Sequence, residues 1–399
     1  MMERVFASIE AREAQFKHLL KELVCMESYT PDKAAVDAVG GYLAAFAEKE
    51  GFHAQTIPFE KAGNGLLITW NEDAPLPPVV FTGHLDTVFP VGTFQAPLFR
   101  EENGKYYGPG VTDMKGGLAI GLLAMCALKD AGYGDRPIKF IMIGDEELSE
   151  GLSGEAGKSF IRDSARGSAA AITLEGNGTG KTVTVGRKGS IRYKVYVKGR
   201  ATHAGSRYAE GISAIKEAAH KILAIEAPSD QAQITYNCGM MTGGTSPNTV
   251  PGEAMFTLYN RYWEMAQRQT IRDHVEGIIA KSYIPGTTAT FDIVGERLPM
   301  DATEENYALA AHINEVSQKY GFGPVEPVKT SSGSDASYTT MAGAPSVCSM
   351  GPIGGKVHSP DEFMVADSLV SRAKLLTAII IELPKNSDVK KGRYRYESL

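Results

Sequence analysis

The chain of 399 residues lacks any apolar run of about eighteen residues, so no transmembrane helix is expected. It is poor in cysteine, and its four, Cys25, Cys126, Cys238 and Cys348, are far apart with no CxxC pair. That excludes a zinc knuckle or a disulfide framework and favours buried free thiols in a reducing compartment. Residues 1–26 are charged throughout, at Glu3, Arg4, Glu10, Arg12, Glu13, Lys17, Lys21 and Glu22. They hold no apolar core of a signal peptide, and a cytoplasmic location is the expectation. No block of lysine and arginine occurs and the net charge is −6, so neither nucleic acid nor a membrane is an expected partner. There is no HExxH. The run Gly176-Asn177-Gly178-Thr179-Gly180-Lys181-Thr182 imitates a phosphate loop, but Glu175 stands where the first glycine of GxxxxGK[ST] belongs, and a strand rather than a helix is expected next.

What is present suits a globular α/β protein. Hydrophobic residues make up 43% and charged residues 22%, and the length allows two domains. Helices are expected over 3–26, 33–50, 116–131, 154–163, 305–319 and 366–383. Strands are expected at 65–70, 79–82, 138–143, 169–174 and 345–350. Strands alternating with helices indicate a mainly parallel sheet with helices on both faces. Between residues 186 and 295 the pattern changes to half-exposed strands in the order β-α-β-β-α-β, a ferredoxin-like unit. The expected organisation is a discontinuous catalytic domain, 1–185 with 296–399, carrying an inserted domain, 186–295. The tail from Lys385 is polar and expected to be loosely held.

Four apolar runs in the first domain end in, or lead to, residue types that bind metals. Val79-Val80-Phe81-Thr82-Gly83 delivers His84 and Asp86. Phe140-Ile141-Met142-Ile143-Gly144 delivers Asp145, Glu146 and Glu147. Ala169–Leu174 delivers Glu175, and the run 344–350 leads to His358. Ligand sites in open α/β sheets lie at the carboxyl ends of strands. Histidine and carboxylate donors suit zinc, and two metals about 3.5–4 Å apart can share one carboxylate. The candidates are His84, Asp113, Glu147, Glu175 and His358.

These residues sit in wider motifs: Gly83-His84-Leu85-Asp86-Thr87, Tyr107-Gly108-Pro109-Gly110 with Asp113-Met114-Lys115-Gly116-Gly117, Asp145-Glu146-Glu147, and Glu175. Ala201-Thr202-His203-Ala204-Gly205, Ser246-Pro247-Asn248-Thr249, Gly333-Ser334-Asp335-Ala336 and His358-Ser359 complete the set. Over nearly the whole chain this resembles the M20 family of dinuclear zinc peptidases and deacylases, and the run from His84 through Ala96-Pro97-Leu98-Phe99 to Gly117 looks like its glutamate carboxypeptidase subgroup. The resemblance implies two divalent metals per subunit, zinc by family expectation, with cobalt or manganese also compatible with the ligands. Asp113 would bridge them, His84 and Glu175 would bind one, and Glu147 and His358 the other. Asp86 would orient His84. Glu146 would be the general base, taking a proton from the metal-bound water and giving it to the leaving amine. His203, from a partner subunit, would stabilise the oxyanion, which implies a homodimer through the inserted domain, and Asn248 of that domain would help bind the substrate. Arg261 would bind the substrate carboxylate, Arg297 being a second candidate. Asp335 would position the site or cap a helix. A cis peptide is implied at Asp113-Met114. The implied activity is metal-dependent hydrolysis of an amide bond next to a free carboxylate, of carboxypeptidase type with a C-terminal glutamate. By the same resemblance, Glu rather than Asp at 175 leans toward the carboxypeptidase and deacylase branch rather than the dipeptidase branch. An N-acyl-amino-acid deacylase or desuccinylase is the alternative, and a catalytically silent metal-binding relative lies outside that class.

Overall fold

The computed structural model describes residues 1–148 and 151–385. Ser149, Glu150 and the expected polar tail beyond Lys385 lie outside the described residues. The chain divides into two compact units. One comprises Met1–Gly186, Ala302–Thr330 and the chain from Ser334; the other comprises Arg187–Asp301 with Ser331–Gly333.

The larger unit is built on a six-stranded sheet, in the order His53–Ile57, Gly63–Trp70, Ile138–Gly144, Val79–His84, Ala170–Thr173, Ser346–Val347. The last four strands are parallel, and the first two run antiparallel at one edge. The parallel strands are the continuous apolar runs of the sequence, as expected of strands covered on both faces. Phe81 and Phe140 meet edge to face across neighbouring strands, ring centres 5.7 Å apart. Successive strand residues point to opposite faces, so Phe140 and Ile143 report on different sides. Gly121, in helix Lys115–Asp130, abuts Phe140; Gly157, in helix Gly154–Ala165, abuts Ile143. Helices therefore cover both faces. The first of these is buried at every residue from Lys115 to Leu128, which explains its lack of a polar stripe.

Two glycines bring neighbouring elements hard against the end of the Ala170–Thr173 strand. A Cβ on Gly117 or on Gly351 would stand 2.0 Å from the carbonyl oxygen of Leu174, one residue before Glu175. Backbone cannot yield there as a flexible side chain would.

In the smaller unit the strands are ordered Thr235–Gly243, Glu253–Tyr262, Gly189–Lys198, Thr288–Arg297, all antiparallel. Helices Ala214–Glu226 and Met265–Ala280 complete the β-α-β-β-α-β order. Alternate residues Ala254, Phe256, Leu258 and Tyr262 turn inward onto Ala218, Ile225, Ile271 and Val275.

Some local expectations shift. The strand expected over 345–350 is only Ser346–Val347, because the chain leaves the sheet through Ser349 at a φ of 62°. In the smaller unit a single 3-10 turn, Tyr208–Glu210, precedes helix Ala214–Glu226, where the Ser213 hydroxyl accepts the Lys216 N–H. A hairpin, Arg100–Glu102 with Lys105–Tyr107, lies between the Asp86 and Asp113 motifs, outside the strands expected from the sequence.

Gly117→Ala is expected to destabilise the protein by about 1–3 kcal/mol, since a methyl group is forced against backbone. Urea unfolding measures it, and an unchanged midpoint would show that the Leu174 carbonyl gives way freely.

Candidate metal centre

The four parallel strands lie side by side, so their carboxyl ends share one edge. His84 is the last residue of its strand, Asp145-Glu146-Glu147 follow Gly144, and Glu175 follows Thr173 by two residues. His358 comes from the loop after Ser346–Val347, at a left-handed φ of 61° that few non-glycine residues adopt.

These ends converge. Asp113 stands between the two histidines: Oδ1 is 3.1 Å from His84 Nε2 and Oδ2 is 3.2 Å from His358 Nε2. Glu175 Oε2 lies 3.9 Å from His84 Nε2, and Glu147 Oε2 lies 3.2 Å from His358 Nε2. The set thus separates into a His84–Glu175 side and a Glu147–His358 side about the two oxygens of Asp113. The Asp113–Met114 peptide is cis.

The supporting bonds come from a buried carboxylate. Asp86 accepts the backbone N–H groups of Glu146 and Glu147, each at 3.2 Å, and the Thr30 hydroxyl at 2.7 Å. The His84 Nδ1 atom lies 3.0 Å from the Asp86 carbonyl oxygen and 3.3 Å from its Oδ1, which points Nε2 at Asp113. Glu362, fully buried, accepts the N–H groups of Gly110, Thr112 and Asp113 at 3.2, 2.8 and 2.9 Å. It fastens the Asp113 loop to the His358 loop. Sequence reasoning did not single it out, because an acceptor of backbone N–H groups needs no partner residue type. Asp335 stands at the start of helix Ala336–Met341, but its side chain makes no capping hydrogen bond.

The donors fit a metal. Glu147 Oε1 is buried with no hydrogen-bond partner, an unsatisfied oxygen in want of a cation. Ligating atoms of His84, Asp113 and Glu147 lie within 4.8 Å of one another, as do those of His84, Glu146 and Glu175. Glu146 therefore sits beside the cluster with its carboxylate toward the His84–Glu175 side. Electrostatics carry the same signature. Asp113 and Glu147 raise His358 to about 10, against burial. Burial works against a charged His84, yet hydrogen bonds to Asp113 and Asp86 raise it well above its ordinary value. Burial pushes Asp113 up, but His358 and His84 prevail and hold it well below the carboxylate range. Burial, opposed by His358 and aided by Asp113, pushes Glu147 up to about 7.

A family model described as Peptidase family M20/M25/M40 matches residues 80–382. The chain belongs to that family. Among relatives of this M20 chain, "Carboxypeptidase G2" of Pseudomonas sp. (strain RS-16) is 26% identical over 373 residues, covering 91% of this chain and 87% of that one. A "Succinyl-diaminopimelate desuccinylase" of Gluconacetobacter diazotrophicus is 27% identical over 393 residues, covering 92% and 96%. A tripeptidase structure from Staphylococcus aureus matches the fold with a TM-score of 0.76 at 22% identity, covering 92% and 97% of the two chains. The M20 chain is accordingly a hydrolase of the metallopeptidase and amidohydrolase kind.

The remaining candidates of the M20 chain lie in the smaller unit. His203 and Asn248 are neighbours: Thr202–His203 pairs with Thr249–Val250, and the Ala204 N–H donates to the Asn248 carbonyl at 2.8 Å. The exposed His203 ring takes the N–H groups of Gly205 and Ser206 on Nδ1, at 3.1 and 3.2 Å. Arg261 and Arg297 both pair in register with Ser190, one from each flanking strand. Burial, with the charges of Arg297 and Arg192, holds Arg261 below its usual value although Tyr259 opposes them. Its guanidinium lies over the Tyr259 ring, 5.0 Å from the centre, and donates to the Lys188 carbonyl at 3.4 Å.

His84 and His358 hold protons well above pH 6.5 in the metal-free protein, and ligation needs them neutral. Zinc uptake is expected to release protons, and its affinity to rise between pH 6 and pH 8. Titration calorimetry in buffers of different ionisation enthalpy counts the protons; a buffer-independent heat would contradict the protonated pairs.

Proposed function

We propose that the chain hydrolyses an amide bond next to a free carboxylate, as a carboxypeptidase that favours a C-terminal glutamate. The observation that carries this is Asp113 held between two histidine–carboxylate pairs, with Glu146 alongside. His84 and Glu175 would hold one divalent ion, Glu147 and His358 a second, and Asp113 both. Zinc is the proposed metal, and cobalt or manganese would suit the same oxygen and nitrogen donors. Such ions polarise the amide carbonyl and make water nucleophilic near neutral pH.

The chain's own residues supply the rest. Glu146 takes the proton of the attacking water and returns it to the amine nitrogen as the C–N bond breaks. Asp86 keeps the His84 ring oriented and the Glu146 backbone fixed. Arg261 takes the free carboxylate of the leaving amino acid. Arg297 and Arg192 are close enough to depress it, so this face gathers positive charge, which suits a leaving residue with two carboxylates. His203 is proposed to stabilise the oxyanion from a second copy of the chain, and Asn248 to help bind the substrate.

Exposed apolar residues support the homodimer. Thr235–Gly243 is an edge strand whose Met240 is 62% exposed, and Leu223 of the adjacent helix is 71% exposed. An edge with unpaired backbone can extend through an identical edge about a two-fold axis. Sedimentation at twice the chain mass is expected; a monomer at micromolar concentration would remove His203 from the mechanism.

The second reading, an N-acyl-amino-acid deacylase or desuccinylase, is supported by the likeness to a protein named as a desuccinylase over 92% of this chain. Dipeptides, folyl-type glutamates and N-acetyl and N-succinyl amino acids, assayed with zinc or cobalt restored, separate the two. Glu146→Gln is expected to lower kcat by about 10²–10⁴-fold with metal content unchanged. Activity retained in that variant would place the base elsewhere, and no hydrolysis of any substrate by the wild type would end the proposal.

A further inference from the structure

Within the larger unit lies a cavity of about 350 Å³. Its walls include Phe94, Gln95, Leu98, Arg100, Gly108 and Pro360. Two of these join it to the centre. Pro360 is two residues past His358, and Gly108 is two residues before Gly110, whose N–H donates to Glu362. Because Glu362 also accepts the Asp113 N–H, the wall of the cavity and the loop of the shared carboxylate are fastened together.

The chemistry of the walls is specific. Phe94 packs edge to face on Phe89 with ring centres 4.8 Å apart, and with Leu98 and Pro360 it supplies apolar surface. Arg100 supplies charge. Its guanidinium lies over the Tyr107 ring, 5.1 Å from the centre, while no carboxylate pairs with it among the described residues. The adjacent carboxylate, Glu101, is engaged by Lys17 at 2.6 Å. An aromatic face beneath a guanidinium steadies its plane and leaves the in-plane N–H fork available. Walls of mixed apolar and polar surface, with one cation oriented by an aromatic ring, suit a short acyl chain ending in a carboxylate. The volume is near the lower end for ligand pockets, which suits a small acyl group better than a multi-ring one.

We propose that this cavity takes the acyl part of the substrate, across the scissile bond from the leaving amino acid, and that Arg100 selects acyl groups ending in a carboxylate. The proposal rests on the amide hydrolysis set out above and adds the identity of the acyl side.

N-succinyl-glutamate and N-butyryl-glutamate have acyl chains of equal length and differ in the terminal carboxylate. Arg100→Gln is expected to lower the ratio of kcat/KM for the succinyl over the butyryl substrate by about tenfold or more, the size of a lost charge-assisted hydrogen bond. Arg100→Lys should restore part of that ratio and Arg100→Glu should lower it further. A ratio within about twofold of wild type in Arg100→Gln would overturn the subsite, since loss of one charged contact exceeds that. Should the wild type cleave neither amide, calorimetry of the metal-loaded protein still decides the subsite. The preference for succinate over butyrate should then be about tenfold weaker in Arg100→Gln. An equal preference in both proteins would overturn it.

Discussion

The Asp86 carboxylate is the interaction on which the rest of the site depends. It is wholly buried, and its partners come from three separate segments: the Thr30 hydroxyl ahead of helix Lys33–Lys49, the His84 ring at the end of its own strand, and the backbone after the neighbouring strand. A buried charge is tolerable when several N–H and O–H groups are turned toward it. Here those groups belong to the pieces that must be held. Glu362 does the equivalent work on the far side, collecting three N–H groups from the Asp113 loop. Two carboxylates turned onto backbone thus fix the positions of the carboxylates that face the centre.

The gathering of acids has a cost that the pairing makes visible. Asp113, Glu147 and Glu175 lie within a few ångströms of His84 or His358, and burial pushes Glu147 upward. Without cations the histidines take up protons and serve as the counter-charges themselves. The arrangement is poised for divalent ions in the sense that ions and protons compete for the same nitrogens.

The parallel sheet was legible because its strands are short unbroken apolar runs, each followed at once by polar residues, and the smaller unit was legible because its strands alternate. The cluster was legible at His84, Asp113, Glu147, Glu175 and His358 through motif order and spacing shared with the M20 family. The structure brings these five together, and the side-by-side order of their strands supplies the reason. Glu362 and Thr30 were not legible, since a side chain that binds backbone leaves no paired residue type to find. The Arg100–Tyr107 hairpin was hidden by its polar and glycine-rich surroundings, and Ser349 and Lys356, at φ of 62° and 57°, bend the chain toward His358 without glycine.

The discontinuity of the larger unit has a consequence for how the protein is made. Four members of the cluster, His84, Asp113, Glu147 and Glu175, precede the smaller unit in the chain, and His358 follows it. A ribosome delivers residues in that order, and compact units fold as they emerge. The whole of Arg187–Asp301 is therefore synthesised while the nascent centre still lacks its second histidine. Only the last stretch of translation brings His358 to the acidic cluster.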